Sequence, residues 1–437
     1  MNAIPEYLPG EPRRVWSPLG TVGVLLRGLL VLGVTAALLL PLWPLYALAR
    51  LVWERPPHVP SWGRTLRCLS LILTAQPDPP LTVAMRLGLL IELARITICE
   101  ALFGLAWILD DIIYGRALRE VRIVEPVFEM SAARSGSTQL AHYLEDDPHF
   151  CAPTVLQTLF PYVWLWKIAP ALARVVPLAW LQERLMAALP AEHHERHEFE
   201  LSRTDTFEVM FSVGHQLGTV MSSLGPRVFA DELSFTKTAP ANRQLWDDDF
   251  LRFLDALGRK TLLHAPRDPE GRPRRLLIKG HFLFAASELE RRYPDARFLT
   301  MLRAPEKRLQ SVLNFGRCQP TVSPCRAAPW PWVIARVLEV EVEYCEVEMA
   351  WYLRPDGPRR HVVPFDAYIR DLEGTMRAVY RELLDADLPP HVPKSHPPRV
   401  RTNYSVDRSL AQLGIDEAAL KQRLAAYGRW CRGNPPR

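Results

Sequence analysis

Residues Phe128–Thr138, FEMSAARSGST, place a strand-like segment directly before a run of small residues and hydroxyls. A turn of this kind ahead of a helix gathers backbone N–H groups at the helix N-terminus, where the dipole also favours negative charge. Phosphate or phosphosulfate suits that chemistry. Small side chains let the backbone approach the anion, Ser135, Ser137 and Thr138 offer hydroxyls, and Arg134 adds a fixed positive charge. A nucleotide-triphosphate loop of the Walker type needs Lys immediately after its last Gly. Here Ser137 follows Gly136, and Arg134 lies two positions before it. Taken alone, the segment is equally a helix cap after a strand.

Two apolar runs downstream also end in polar residues. Leu276–Ile278 leads into Lys279, Gly280 and His281, and Phe298–Leu302 leads into Arg303, with Ser311 eight residues later. Both runs read as buried strands whose C-terminal ends carry the chemistry. An arginine there offers a planar, permanently charged fork, and a nearby hydroxyl completes a phosphate's shell. Strand, loop and helix, followed by two more such strands, is the logic of a doubly wound α/β domain, which binds ligands outside the carboxyl ends of its strands.

In this order the segments resemble the sulfotransferases. The loop is similar to that family's P-[KR]-[ST]-G-[ST]-T. It departs at Ser131, where the family has Gly, and at Ala133, where it has Pro. Tyr293–Phe298, YPDARF, resembles the family's FPDARF. Asp366 with Leu372–Met376, and Tyr404 through Tyr427, resemble its later blocks, so the likeness runs over roughly residues 121–430. The resemblance implies a three-layer α/β/α P-loop-like fold with a central parallel sheet. It implies 3′-phosphoadenosine 5′-phosphosulfate (PAPS) as co-substrate. Arg134, Ser135, Gly136, Ser137 and Thr138 would hold the 5′-phosphosulfate, and Arg303 and Ser311 the 3′-phosphate. Lys279 would stabilise the leaving phosphate. His281, beside Lys279, and Glu208, in the acidic segment Asp205–Glu208, are alternative bases for the acceptor.

Composition limits the other readings. The net charge of +5 is small beside 53 basic and 48 acidic residues, and no Lys/Arg stripe is interleaved with aromatics, which argues against nucleic-acid binding. Seven cysteines form no CxxC, so a structural zinc site is not expected. Cys318 and Cys325 are either a pair in an oxidising compartment or two free thiols. His193 and His197 lie four apart but not in HExxH, and they read as a solvated helix; no metal is expected. No G-x-S-x-G elbow is present.

The N-terminal third differs in kind. Gly28–Ala49 is 22 residues without a charge. A helix of this length spans a hydrocarbon core of roughly 30 Å. Trp43, Tyr46 and Trp53 sit near its end as an interfacial belt would. The alternative is a buried helical arm. Leu81–Ile113 is also apolar but carries Arg86, Glu92, Arg95 and Glu100. It reads as a segment at the interface or against the domain, with Glu92 and Arg95 paired at i, i+3, and a second span is the alternative.

The sequence therefore predicts an anchor over 1–55, a juxtamembrane helical segment over 56–120 and a sulfotransferase domain over 121–437. The expected reaction is sulfuryl transfer from PAPS to a hydroxyl, less readily an amine, of a membrane-associated lipid, glycolipid or glycan. A phosphoryl-transferring nucleotide enzyme and an inactive membrane scaffold of the same fold are the rival readings. Arg50, Arg55, Arg64 and Arg67 after the anchor outnumber Arg13, Arg14 and Arg27, which favours a cytoplasmic catalytic domain over a Golgi-luminal one.

Overall fold

The computed structural model describes residues 18–76, 81–175, 177–187, 200–224, 228, 240–318, 330–357, 359–396 and 408–433. The Glu192–Glu198 cluster, Cys325 and Tyr404 lie outside them, as does the Cys318 side chain. Among the described residues five segments form strands: β1 (Val127–Glu129), β2 (Phe150–Cys151), β3 (Arg275–Lys279), β4 (Arg297–Leu302) and β5 (Arg359–Pro364). They make one parallel sheet in the order β2-β3-β1-β4-β5. β1, β4 and most of β3 are buried on both faces, which is why these runs read as continuous rather than alternating hydrophobics.

The chain order turns around β1. One crossover leads to β3 on one side of it and the next to β4 on the other. The loops after β1, β3 and β4 therefore open at the same edge of the sheet, at the switch point where such folds hold ligands. A cluster including Phe128, Ile278, Phe282, Phe298 and Trp351 fills one face, and Leu140, Leu277, Leu299, Met301 and Tyr380 belong to the cluster on the other. The expected three-layer parallel architecture is what the chain forms.

Among the described residues four α-helices precede the sheet: α1 (Pro18–Leu39), α2 (Trp43–Ala49), α3 (Trp62–Thr74) and α4 (Val83–Glu120). The span Val22–Ala49 is long and apolar enough to cross a membrane. It packs against α4. A Cβ on Gly28 would touch Ile91, Trp43 Nε1 donates to Ile98 O at 3.3 Å, and the Tyr46 ring lies on the bare backbone of Gly104. Leu26, Leu30, Val34 and Leu38 point outward and are exposed. The expected Glu92–Arg95 pair forms on α4.

α4 is 38 residues long and joins this helical region to the catalytic core. Asp110 on α4 accepts from the backbone N–H groups of Val163 and Trp164 at 2.7 and 3.0 Å and pairs with Lys260 Nζ at 2.9 Å. The Lys260 ammonium also sits 3.3 Å above the centre of the Trp107 ring. Both charges are buried, and each satisfies the other's desolvation. Ahead of α3, Arg55 makes a two-pronged bond to Asp249, and Arg64 Nε donates to Gln216 O at 3.2 Å. His58 stacks on Trp107 and bonds Tyr162 Oη at 3.1 Å. Cys68, Ile72, Leu93 and Trp107 belong to the same buried cluster as Phe128 of β1.

Candidate active site at the carboxyl ends of the strands

The loop after β1 closes on α5 (Ser137–Glu145). Gly136 is the residue before the helix and takes φ +94°, a left-handed conformation that glycine adopts without strain. A Cβ there would also lie 2.7 Å from the Phe365 ring. Arg134 takes φ +64°, which a side-chain-bearing residue rarely does. Alternating backbone hands of this kind turn successive N–H groups inward and make an anion-binding concavity. Ser135 is buried, and its hydroxyl has no hydrogen-bond partner among the described residues. Ser137 is buried at the first turn of α5, with Thr138 beside it.

The other predicted phosphate ligands meet this loop. Arg134 Nε donates to Ser311 Oγ at 3.1 Å, and its guanidinium lies over the Phe315 ring. Ser311 is on the helix Pro305–Cys318. Arg303, just past β4, donates to the backbone oxygen of Arg134 at 2.8 Å and lies over the Phe365 ring. Two guanidiniums, one buried orphan hydroxyl and a left-handed glycine cradle thus converge on one end of the sheet. The set fits an anion with more than one phosphate group, as a phosphoadenosine phosphosulfate is.

Lys279 and the two alternative bases for the acceptor gather beside β3. Lys279 is buried, and its ammonium donates to Asp205 Oδ1 at 2.8 Å and to Thr206 Oγ1 at 3.0 Å. Glu208 opens the helix Phe207–His215 and is fully buried. Its carboxyl passes so close to Gly280 that any side chain there would collide with Oε2. Neither oxygen has a hydrogen-bond partner among the described residues. Burial pushes its carboxyl up to about 8. His281 Nδ1 lies 2.6 Å from the backbone oxygen of Ser131. That contact requires the proton on Nδ1 and makes Nε2 the basic nitrogen. His281 and Glu208, alternatives in the sequence, flank Gly280 together.

Sequence reasoning gave Phe315, Phe365 and Glu129 no role here and took Asp205 only as part of an acidic segment, not as a partner of Lys279. Asp205 is the buried counter-ion of Lys279. Phe315 and Phe365 carry the two guanidiniums. Glu129, the one acid in an otherwise apolar strand, is fully buried beneath the loop. Its oddity in the strand was the available signal; nothing in the sequence marked the two phenylalanines. Among the described residues, His149, Asp268 and Glu270 form a grouping that could hold a metal ion. Arg272 already pairs with both of its carboxylates.

A family model described as the sulfotransferase family matches residues 126–385. The chain belongs to the sulfotransferase family. The matched stretch begins just before β1 and ends after the helical segments that follow β5, so it encloses the anion loop, Glu208, Lys279, His281, Arg303 and Ser311. Two crystal structures of mycobacterial sulfotransferases share the fold. One from Mycobacterium avium aligns with TM-score 0.59 at 16% identity over 89% of this chain and 95% of its own. One from Mycobacterium tuberculosis aligns with TM-score 0.54 at 18% identity over 83% and 91%. No curated protein sequence matches the chain.

Proposed function

We propose that this sulfotransferase moves the sulfuryl group of PAPS to a hydroxyl of a membrane-associated lipid, glycolipid or glycan. The observation that carries the donor assignment is the meeting of Arg134, Arg303 and Ser311 at the Gly136 loop. An acceptor oxygen attacks sulfur, the bond from sulfur to the bridging phosphate oxygen breaks, and 3′,5′-adenosine bisphosphate leaves. Negative charge grows on that bridging oxygen, and donors placed there are worth about 3–4 kcal/mol each. Arg134, the N–H groups of the loop and Lys279 are assigned to it, with Ser135, Ser137 and Thr138 around the phosphosulfate. Arg303 and Ser311 are assigned to the 3′-phosphate. The acceptor proton goes to His281 Nε2 or to Glu208, and a base in that position contributes roughly 10²–10⁴ in rate.

The acceptor class rests on the apolar span Val22–Ala49 and its exposed Leu and Val side chains. We assign the protein to a membrane, with the catalytic domain on the cytoplasmic side and a Golgi-luminal placement as the alternative. Mass spectrometry of membrane lipids and glycans from cells with and without the protein is the test. A sulfate-sized mass difference that depends on the chain names the acceptor. A sulfated product confined to soluble molecules contradicts the membrane assignment. Turnover of ATP with magnesium, without binding of adenosine bisphosphate, would favour a phosphoryl transferase. Binding without turnover of any acceptor would favour an inactive scaffold.

A further inference from the structure

Glu129 ends β1 directly beneath the anion loop and is fully buried. One of its carboxyl oxygens is fully engaged. Oε1 accepts from the Ser131 backbone N–H at 3.1 Å and from the Ser131 hydroxyl. The same hydroxyl accepts from the backbone N–H of Met301 on β4 at 2.7 Å. The backbone oxygen of Ser131 receives the His281 ring. Glu129 therefore fixes Ser131, and Ser131 fixes both the start of the loop and the imidazole. The other oxygen, Oε2, is buried with no hydrogen-bond partner among the described residues.

The charged and titratable groups around this carboxyl come from every neighbouring element. From β3 comes Lys279, whose own partner is Asp205. The helix Trp330–Tyr352 brings Tyr344, which donates to Met130 O, and Tyr352, which donates to Leu299 O. Glu348 of that helix faces Thr300 and Tyr427 instead. Glu208 lies beyond Gly280, and Ser137 faces Glu129 from the first turn of α5. Lys279 is the one cation within this set, and Asp205 already neutralises it. An ionised Glu129 would thus be met only by the Ser131 and Ser137 donors and an already paired Lys279, and would set a negative charge under a loop that must accept a polyanion.

We propose that Glu129 is a positioning residue that must be neutral for the anion loop to receive its nucleotide, so that donor binding draws a proton onto any Glu129 that is ionised. The proposal rests on the reading of this loop as the PAPS site. Burial, the largest influence, raises the Glu129 carboxyl to about 7, so the group is divided between its two forms near neutrality. An anion seated above it raises it further, and affinity then falls as pH climbs.

The test uses the full-length protein and 3′,5′-adenosine bisphosphate as probe, by calorimetry between pH 7 and pH 9, above the range where the ligand's own phosphates titrate. In the wild type, affinity is expected to fall by about tenfold or more across that range, with proton uptake visible as a buffer-dependent heat. Glu129→Gln keeps the shape and the donor–acceptor capacity of the neutral acid. It should bind as tightly at pH 9 as at pH 7, without proton uptake. Glu129→Leu should bind weakly at every pH, because Ser131 loses its acceptor. The same pH slope and proton uptake in Glu129→Gln as in wild type overturns the role of Glu129 and leaves the donor site standing. Absence of binding by the wild type at every pH overturns the donor site itself.

Discussion

Arg134 and Ser311, 177 residues apart in the chain, meet at 3.1 Å with the arginine donating to the hydroxyl. The contact joins the loop after β1 to the helix after β4. In the proposed reading one side chain would therefore serve two subsites: it lies at the loop assigned to the phosphosulfate and touches the hydroxyl assigned to the 3′-phosphate. Arg134→Ala and Arg303→Ala should each weaken binding of 3′,5′-adenosine bisphosphate by roughly 1.5–3 kcal/mol, about tenfold to a hundredfold. Ser311→Ala should lose less. Calorimetry reads all three, and wild-type affinity in both arginine variants would sink the assignment.

Gly136 should tolerate nothing larger. Gly136→Ala places a Cβ against Phe365 in a backbone conformation that alanine avoids. The expected result is loss of nucleotide binding. Gly136→Ala with Phe365→Leu should recover part of the space but none of the backbone freedom, so rescue should be incomplete.

His281→Ala and Glu208→Gln separate the two base candidates. Removing the true base should cut turnover by about 10²-fold or more while nucleotide affinity stays close to wild type. If Glu208 is the base, turnover should climb with pH through about 8, where its carboxyl ionises, and the Gln variant should lack that limb. Two variants with near-normal turnover would turn attention to Asp205.

Glu208 also predicts a stability effect. Burial holds its folded-state value above the ordinary carboxylate range, so the fold favours the neutral form. That stability is fully present below about pH 4.5, the ordinary glutamate value, and is lost as pH rises toward 8. Glu208→Gln stays neutral throughout. Its melting temperature should therefore gain on the wild type across that window. A difference between the two that is flat with pH would contradict the buried, unpaired geometry.

Asp110→Ala leaves Lys260 buried without its partner and frees two N–H groups at Val163 and Trp164. Breaking such a pair costs about 3–5 kcal/mol. Thermal melting should show a large loss. Asp110→Ala with Lys260→Met should recover most of the charge penalty but not the two backbone bonds.

The sequence carried the anion loop and the strands on either side of it because their information is local. Apolar runs ending in Lys279 and Arg303, and a loop with Gly136 before Ser137, can be read without knowing what lies across the sheet. Long-range partners could not be read this way. Nothing within ten residues of Lys279 indicates Asp205, and nothing near Arg134 indicates that Phe315 lies under it. The His281 and Glu208 alternatives stood apart in sequence, and only the fold brings both against Gly280. Glu129 was visible as an acid in an apolar strand, yet its use depends on Ser131, a position that reads only as a departure from the family's glycine.

The N-terminal apolar helix and the catalytic core are joined by α4, a single helix of 38 residues. At about 1.5 Å per residue it is roughly 57 Å long. Its first half lies against α1, and Asp110 in its second half is locked to the domain. A sulfotransferase hung from a membrane by a loose stalk sweeps a volume and samples acceptors at many heights. With α1 and α2 in a bilayer, this one would be held on a strut. Its active site would stand at one height and one tilt, so the distance from an acceptor's membrane anchor to its hydroxyl would become part of the enzyme's specificity. Acceptors that differ only in the length of the spacer between lipid and hydroxyl should then differ sharply in rate, and that dependence should disappear once the same acceptors are presented in solution.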